Sequence, residues 1–291
     1  MRYHGTVIRP PSEVDSYILQ VTYGCSHNRC TFCGTYLDKP FRPRDVSQVL
    51  EDIQLAGTVI PNTRRVFLAD GDALVLSTER LTTILDALRD AFPNLERVGI
   101  YANAGNLLRK SPSDLEILHQ KGLGIVYLGL ESGSDEVLAR IDKGATAAEM
   151  IEAIHKAKAA GMQTSVIGIL GIAGPDGSAE HARLTGEVVS QMDPDYFSML
   201  TLMLVPGTPL YQEWEAGKFQ LLEAEEMLAE LRQVIGNLNG LTQCVFRTNH
   251  ASNYLPLRGT LPEDKEHLIG ALDTALARGR DTFRPEAWRG L

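Results

Sequence analysis

The chain has 291 residues, 44% of them hydrophobic and 22% charged, with a formal net charge of −9. This composition builds a globular protein with a large core and excludes a disordered or low-complexity chain. The acidic balance argues against non-specific nucleic-acid binding, whose affinity comes from Lys and Arg neutralising phosphates, and the arginine groups Arg42, Arg44, Arg64, Arg65 and Arg278, Arg280, Arg284, Arg289, each able to form a local basic patch, read first as solvated surface charge.

A strand-then-helix pattern repeats about every 30 residues. Strands are predicted over 17–23, 65–69, 97–102, 125–130, 164–171 and 196–205. Nearly continuous apolar runs of this length suit a parallel sheet buried on both faces. Between the second and third runs, Leu81, Ile84, Leu85, Leu88 and Phe92 fall on one face of a helix. Ser111, Pro112 and Asp114 read as an N-cap, a first-turn proline and a first-turn acid. Gly122, Gly144 and Gly161 read as helix stops. Consecutive strand–helix units make an α/β protein, either a barrel or a doubly wound sheet. Both place their sites at strand C-terminal ends, so the pattern alone does not separate them. After Gly217 the rhythm breaks into a helix over 221–238, an extended piece over 242–246, a polar segment over 247–254 and a last helix over about 262–278. Residues 1–217 are expected to form the core, and 218–291 an appendage packed on the same domain.

No run reaches the roughly 20 apolar residues of a membrane span. The N-terminal Met-Arg-Tyr-His-Gly lacks the apolar stretch of a secretory signal. Three of the four cysteines are clustered, which does not make a disulfide framework. A reducing cytoplasm is the expected home.

The cluster is Cys25-Ser-His-Asn-Arg-Cys30-Thr-Phe-Cys33, just after the first strand. Three thiolates this close suit a metal centre. A [4Fe–4S] cluster usually takes four thiolates, so three leave one iron open for chemistry. Zinc is the rival, with His27 the nearest fourth ligand. A structural zinc usually staples a small domain that lacks a core, and this chain has ample core. The spacing alone leaves both metals open, and with them a redox or chance grouping of cysteines.

With its neighbouring segments, the cluster resembles that of the radical S-adenosylmethionine (SAM) enzymes, in particular their elongator, methylthiotransferase and coproporphyrinogen-dehydrogenase branches. The usual family motif is C-x3-C-x2-C with an aromatic before the last cysteine. This chain has Phe32 there and one extra residue between the first two cysteines, as some elongator-type members do. Ala69-Asp-Gly-Asp-Ala73 resembles the family's Gly-Gly-Glu position. Leu128-Gly-Leu-Glu-Ser-Gly-Ser-Asp-Glu-Val-Leu138, continued by Arg140-Ile-Asp-Lys-Gly144, resembles a segment shared by those branches. Val205-Pro-Gly-Thr-Pro-Leu-Tyr211 resembles the end of their sixth strand.

The resemblance implies a partial (β/α)6 TIM-type barrel with parallel strands and a C-terminal extension. It implies a [4Fe–4S] cluster on Cys25, Cys30 and Cys33, with S-adenosyl-L-methionine chelating the fourth iron. One electron would split the sulfonium, and the 5′-deoxyadenosyl radical would take hydrogen from a substrate. The cofactor carries such chemistry; the protein positions and shields it.

By the same resemblance, Gly71 and Asp72 would serve the methionine amine, and Glu131 and Ser132 the ribose hydroxyls. Arg140 or Lys143 would meet the methionine carboxylate. Phe32, Leu204 and Val205 would flank the adenine. Each has a plainer reading: a turn with two solvated acids, an N-cap by Ser132 or Ser134, exposed helix charges, or core packing. The 166–171 stretch matches the family's Gly-rich adenine motif only loosely. Cys244 reads as a small buried residue or as a hydrogen-atom donor inside the barrel. His250, with Asn249, Asn253 and Tyr254, would read the substrate if the 247–254 segment folds over the barrel mouth, and is otherwise part of an exposed loop. The other histidines, His181 among them, carry no signal.

A small-molecule substrate and an electron donor such as flavodoxin or ferredoxin are the expected partners, with no membrane, and nucleic acid is disfavoured without being ruled out. No second cysteine cluster, cobalamin-binding domain or RNA-binding tail is evident, which argues against methylthiotransferase work. Two rivals remain: an iron–sulfur electron-transfer protein without SAM chemistry, and a zinc-stapled binding module.

Overall fold

The computed structural model describes residues 2–290, so the outermost residues of the predicted segments 1–217 and 218–291 lie outside the described residues. In chain order the main elements are β1 (Tyr17–Gln20), β2 (Thr22–Tyr23), β3 (Arg42–Pro43), α1 (Val46–Val59), β4 (Arg65–Ala69), α2 (Thr78–Ala91), β5 (Arg97–Tyr101), α3 (Ala104–Arg109), α4 (Pro112–Gln120) and β6 (Leu123–Glu131). They continue with α5 (Asp135–Arg140), α6 (Ala147–Ala159), β7 (Gln163–Leu170), α7 (Ser178–Met192), β8 (Tyr196–Thr201), α8 (Pro209–Glu215), α9 (Ala224–Gly236), β9 (Cys244–Arg247), β10 (Arg258–Leu261) and α10 (Lys265–Arg278). The chain divides into two compact units. One holds the residues up to 29 with 35–128 and 152–164; the other holds 30–34, 129–151 and 165 onward.

In the first unit β1, β4, β5 and β6 pair parallel in that order, with Leu19 beside Leu68, Phe67 beside Gly99 and Ile100 beside Val126. Val66, Phe67, Leu68 and Ala69 of β4 are all fully buried. A strand covered on both faces has no polar side to alternate with, which is why β4 is legible as a continuous run. Helix α2 buries Leu81, Ile84, Leu85 and Leu88 as its periodicity predicts, and Phe92 is buried just past its last turn. Helix α4 carries the predicted Ser111–Asp114 cap reciprocally, with Pro112 in its first turn. Gly122 follows it at φ 103°, a conformation glycine adopts without a Cβ penalty.

The first predicted strand is in fact two. β1 ends at Gln20, and β2 pairs antiparallel with β3. Arg44 sits at the break. Its buried guanidinium donates to Gln20 O at 2.7 Å and to Asp52 at 2.8 Å, and its N–H donates to Val21 O. Arg44 is therefore an internal cross-link and not the solvated charge expected of it.

In the second unit β7, β8 and β9 run parallel, with Val166 beside Phe197 and Phe197 beside Phe246. β10 closes an antiparallel hairpin on β9, Cys244 facing Leu261. β10 is not legible in the sequence: it is a four-residue strand containing Gly259, with no apolar run. β8 stops at Thr201, so Leu204 and Val205 lie beyond it and not within a strand over 196–205. The predicted 221–238 helix is α9, shorter at both ends. Helix α9 lies close against α7: a Cβ on Gly186 would stand 2.6 Å from Asn237 Cβ and 2.9 Å from Val234 O. Among the described residues no helix is long and apolar enough to cross a membrane.

Candidate cofactor site

In the first unit the Asp70-Gly71-Asp72 turn at the end of β4 holds the start of the cysteine loop at three successive residues. Asp70 is fully buried. Its Oδ2 accepts from the Gly24 N–H at 3.1 Å, Gln20 Nε2 at 2.8 Å and Lys39 Nζ at 3.2 Å. Burial pushes the Asp70 carboxyl up, against Gln20, Lys39 and the Gly24 amide. Gly71 lies against Cys25: a Cβ there would stand 3.0 Å from Cys25 Cβ and 2.4 Å from Tyr36 Cε2, so only glycine lets the two backbones meet. Asp72, 1% exposed, accepts from Ser26 Oγ, the Asn103 N–H at 3.2 Å, Asn103 Nδ2 at 2.6 Å and Asn106 Nδ2. Burial raises the Asp72 pKa, opposed by the Ser26 hydroxyl and the asparagines. Neither acid is solvated, so the plain turn reading fails. Asp72 spends its acceptors on the cysteine loop and on α3, which Asn103 caps. Asn103 and Asn106 are not singled out by sequence; the Asn-x-x-Asn spacing at a strand end is their only signal.

In the second unit the segment 30–34 is clamped by backbone bonds. The Thr31 N–H donates to Ile141 O at 2.9 Å, the Leu210 N–H donates to Thr31 O at 2.9 Å, and the Cys33 N–H donates to Cys30 O at 3.1 Å. Thr208, from the Pro-Gly-Thr-Pro motif, caps α8 and so places Leu210. Val205 packs on this segment: a Cβ on Gly34 would fall 2.4 Å from Val205 Cγ1. Phe32, Leu204 and Val205 are half-buried, as are Cys25, Cys30 and Cys33.

Glu131 ends β6 in the left-handed region at φ 63°. Its Oε1 accepts from Lys143 Nζ at 2.7 Å. A Cβ on Gly129 would sit 2.1 Å from that oxygen, so Gly129 leaves room for the carboxylate. Two residues expected to serve different ends of SAM are thus paired with each other. Ser132 is fully buried, its hydroxyl 2.8 Å from His181 Nδ1 and accepting from the Ser134 N–H at 3.0 Å. The capping of α5 falls to Ser134. Arg140 is exposed and donates to Ile172 O at 2.6 Å. It borders a 540 Å³ cavity with Ser134, Val137, Gly174, Lys218 and Phe219.

Cys244 is buried in β9. The 247–254 segment is not an exposed loop. Ser252 accepts from the Thr201 N–H, Asn253 joins Thr201 Oγ1 and Met199 O, and Tyr254 pairs with Glu286. Arg284 donates to His250 O, Ala251 O and Asn253 O, and Arg289 lies 4.0 Å over the Tyr254 ring, so these arginines tie the chain's end to the segment and are not solvated charge. Asn253 and Tyr254 are occupied by the scaffold. His250 is half-buried, its Nδ1 2.9 Å from Ser252 Oγ, and burial lowers its pKa.

Residues 19–183, more than half of the chain, match the radical SAM superfamily. The chain belongs to that superfamily. An uncharacterized methyltransferase of Pyrococcus horikoshii is 26% identical over 197 residues, which is 67% of this chain and 41% of that protein. The structure of coproporphyrinogen III oxidase (HemN) from Escherichia coli superposes with a TM-score of 0.59 at 17% identity, over 78% of this chain and 53% of that one. Methylornithine synthase (PylB) superposes with a TM-score of 0.55 at 16% identity, over 92% of this chain and 85% of that one. These likenesses show the fold, an α/β partial TIM-type barrel with a mostly parallel sheet, and set the doubly wound alternative aside. The chain spans less than half the length of the curated relatives it matches.

The superfamily uses a [4Fe–4S] cluster and SAM. Among the described residues no three Cys, His, Asp or Glu side chains are gathered into a finished ligand shell, so the fit rests on the donor set. Three half-buried thiols within nine residues suit a cluster with one open iron.

Proposed function

We propose that the protein is a radical SAM enzyme acting on a small molecule, with Cys25, Cys30 and Cys33 holding three irons of a [4Fe–4S] cluster. When bound, the cluster and SAM supply reductive cleavage of the sulfonium to methionine and a 5′-deoxyadenosyl radical that takes hydrogen from the substrate. The observation that carries the reading is the three-point hold of the Asp70-Gly71-Asp72 turn on Gly24, Cys25 and Ser26. A cysteine fixed together with both its chain neighbours meets a cluster already in place, which lowers the ordering cost of binding it.

The remaining roles follow from charge and burial. Lys143, held beside Glu131, carries the cation for the methionine carboxylate, and the second Glu131 carboxylate oxygen accepts from the ribose hydroxyls. The Asp-Gly-Asp turn serves the methionine amine through backbone carbonyls, because the Asp72 carboxylate is committed elsewhere. Phe32, Leu204 and Val205 form the apolar flank for adenine. Arg140 is a second cation at the edge of the neighbouring cavity. Cys244 is a packing residue, and His250, with the exposed Asn249 beside it, is left in the polar segment to meet a substrate. HemN and PylB, by their names, act on a porphyrinogen and make a modified amino acid, which supports a small-molecule substrate. A cytoplasmic site with flavodoxin or ferredoxin as reductant completes the proposal.

Anaerobic reconstitution with iron and sulfide, reduction with dithionite and addition of SAM tests it. 5′-Deoxyadenosine is the expected product, lost in Cys30→Ala. Undiminished product in Cys30→Ala, or zinc in place of iron in anaerobically purified protein, would overturn the assignment.

A further inference from the structure

Glu131 is a non-glycine residue held at φ 63°. A left-handed L-residue is disfavoured and persists only where its surroundings fix it. The fixing groups lie directly after it. Ser132 Oγ meets His181 Nδ1 at 2.8 Å, and the Gly133 N–H donates to Thr185 Oγ1 at 3.0 Å. Both partners come from the inward face of α7, one turn apart. Gly133 is pressed onto that helix, since a Cβ there would stand 2.3 Å from Leu184 O.

The other side of His181 is also occupied by purpose-built chemistry. Its Nε2 is buried and faces Glu230 Oε1 of α9 at 3.6 Å, with the Ile169 carbonyl also beside the ring. Glu230 is 1% exposed. It accepts from the Gly171 N–H at 2.7 Å and from Ser178 Oγ. Gly171 carries Met227 of the same helix on its open face, where a Cβ would fall 2.3 Å from Met227 Cε. A histidine with one nitrogen on the strand-end bend and the other toward a buried carboxyl is a strut between β6 and α9.

We propose that His181 is a positioning residue for the nucleotide: through Ser132 it holds the left-handed bend at Glu131 and so sets where the Glu131–Lys143 pair stands. This rests on the radical SAM reading for the identity of the ligand, whose ribose and carboxylate that pair would meet. It assigns a role to a histidine outside every motif of the sequence.

Two conservative variants separate positioning from plain stability. His181→Asn keeps a polar atom where Nδ1 stands; His181→Gln keeps one where Nε2 stands and none at Nδ1. Amide hydrogen exchange at Gly133 and Ser134, and calorimetric binding of SAM to the oxidised, reconstituted protein, are measured in both. In His181→Gln the two amides exchange at least about tenfold faster and SAM affinity falls about tenfold, the loss expected for one buried hydrogen bond. Iron content stays at the wild-type level, and His181→Asn restores both readouts. Unchanged exchange in His181→Gln overturns the proposal. So does faster exchange with unchanged SAM affinity, and so do equal losses in the two variants. If the wild-type protein binds no SAM, the radical SAM reading itself fails. Normal wild-type binding with an unaffected His181→Gln sinks this inference alone.

Discussion

Glu230→Gln should make stability rise with pH relative to the parent between about pH 5 and 6.5. Burial pushes the Glu230 carboxyl up to about 7, against its bonds from Ser178 and the Gly171 amide. Burial lowers His181 to about 4; the Ile169 carbonyl opposes that shift and Arg140 adds to it. The two shifts act on stability with opposite signs. A carboxyl raised on folding contributes stability that is full below its unfolded pKa and lost as pH rises toward 7. A histidine lowered on folding contributes stability that is present above its unfolded pKa and lost as pH falls toward 4. Between about pH 5 and 6.5 each changes the proton balance by nearly one proton, so each contributes about 2 kcal/mol and the sum is near zero. Glutamine keeps an acceptor for the Gly171 N–H and cannot titrate, so only the histidine term remains. Urea unfolding of the two proteins at several pH values across that window reads the difference. The variant should gain about 2 kcal/mol relative to the parent as pH rises from 5 to 6.5, all other groups being common to both. Parallel stability curves would refute the burial argument for this pair.

Asp72→Ala strands the Asn106 donor and two donors of half-buried Asn103 as well as Ser26, and should cost about 2–4 kcal/mol, with iron retention reduced because Ser26 adjoins Cys25. Iron content and a urea melt check this; full iron with lowered SAM affinity would instead mean that the carboxylate serves the methionine directly. Gly129→Ala places a Cβ on the Glu131 carboxylate and should break the pair with Lys143. SAM affinity should fall about tenfold with iron unchanged, by the worth of a charge-assisted hydrogen bond; equal affinity by calorimetry would remove that pair from the site.

Much of the fold was legible because its signals are local. Continuous apolar runs mark strands buried on both faces, and the Ser111–Asp114 box and the Leu81–Leu88 stripe mark helices by capping and periodicity. The cysteines, the Asp-Gly-Asp turn and the Glu-Ser segment were legible as motifs. Their side-chain directions were not. Asp72 and Ser132 both look like ligands for a cofactor in sequence, yet one is surrounded by Ser26, Asn103 and Asn106 and the other faces His181. Partners this far apart in sequence are set by tertiary packing. Arg44, Arg284 and Arg289 mislead for the same reason: an arginine reads as surface until the fold brings carbonyls to it. His181 and Glu230 lack any local pattern, being polar residues on otherwise small or apolar helix faces.

Radical chemistry here requires an iron left open by the protein and available to SAM. Electron paramagnetic resonance of the dithionite-reduced, reconstituted protein, recorded with and without SAM, addresses it. A reduced [4Fe–4S] signal whose g-values shift on adding SAM is the predicted result. A signal indifferent to SAM, or no iron–sulfur signal after reconstitution, would contradict it.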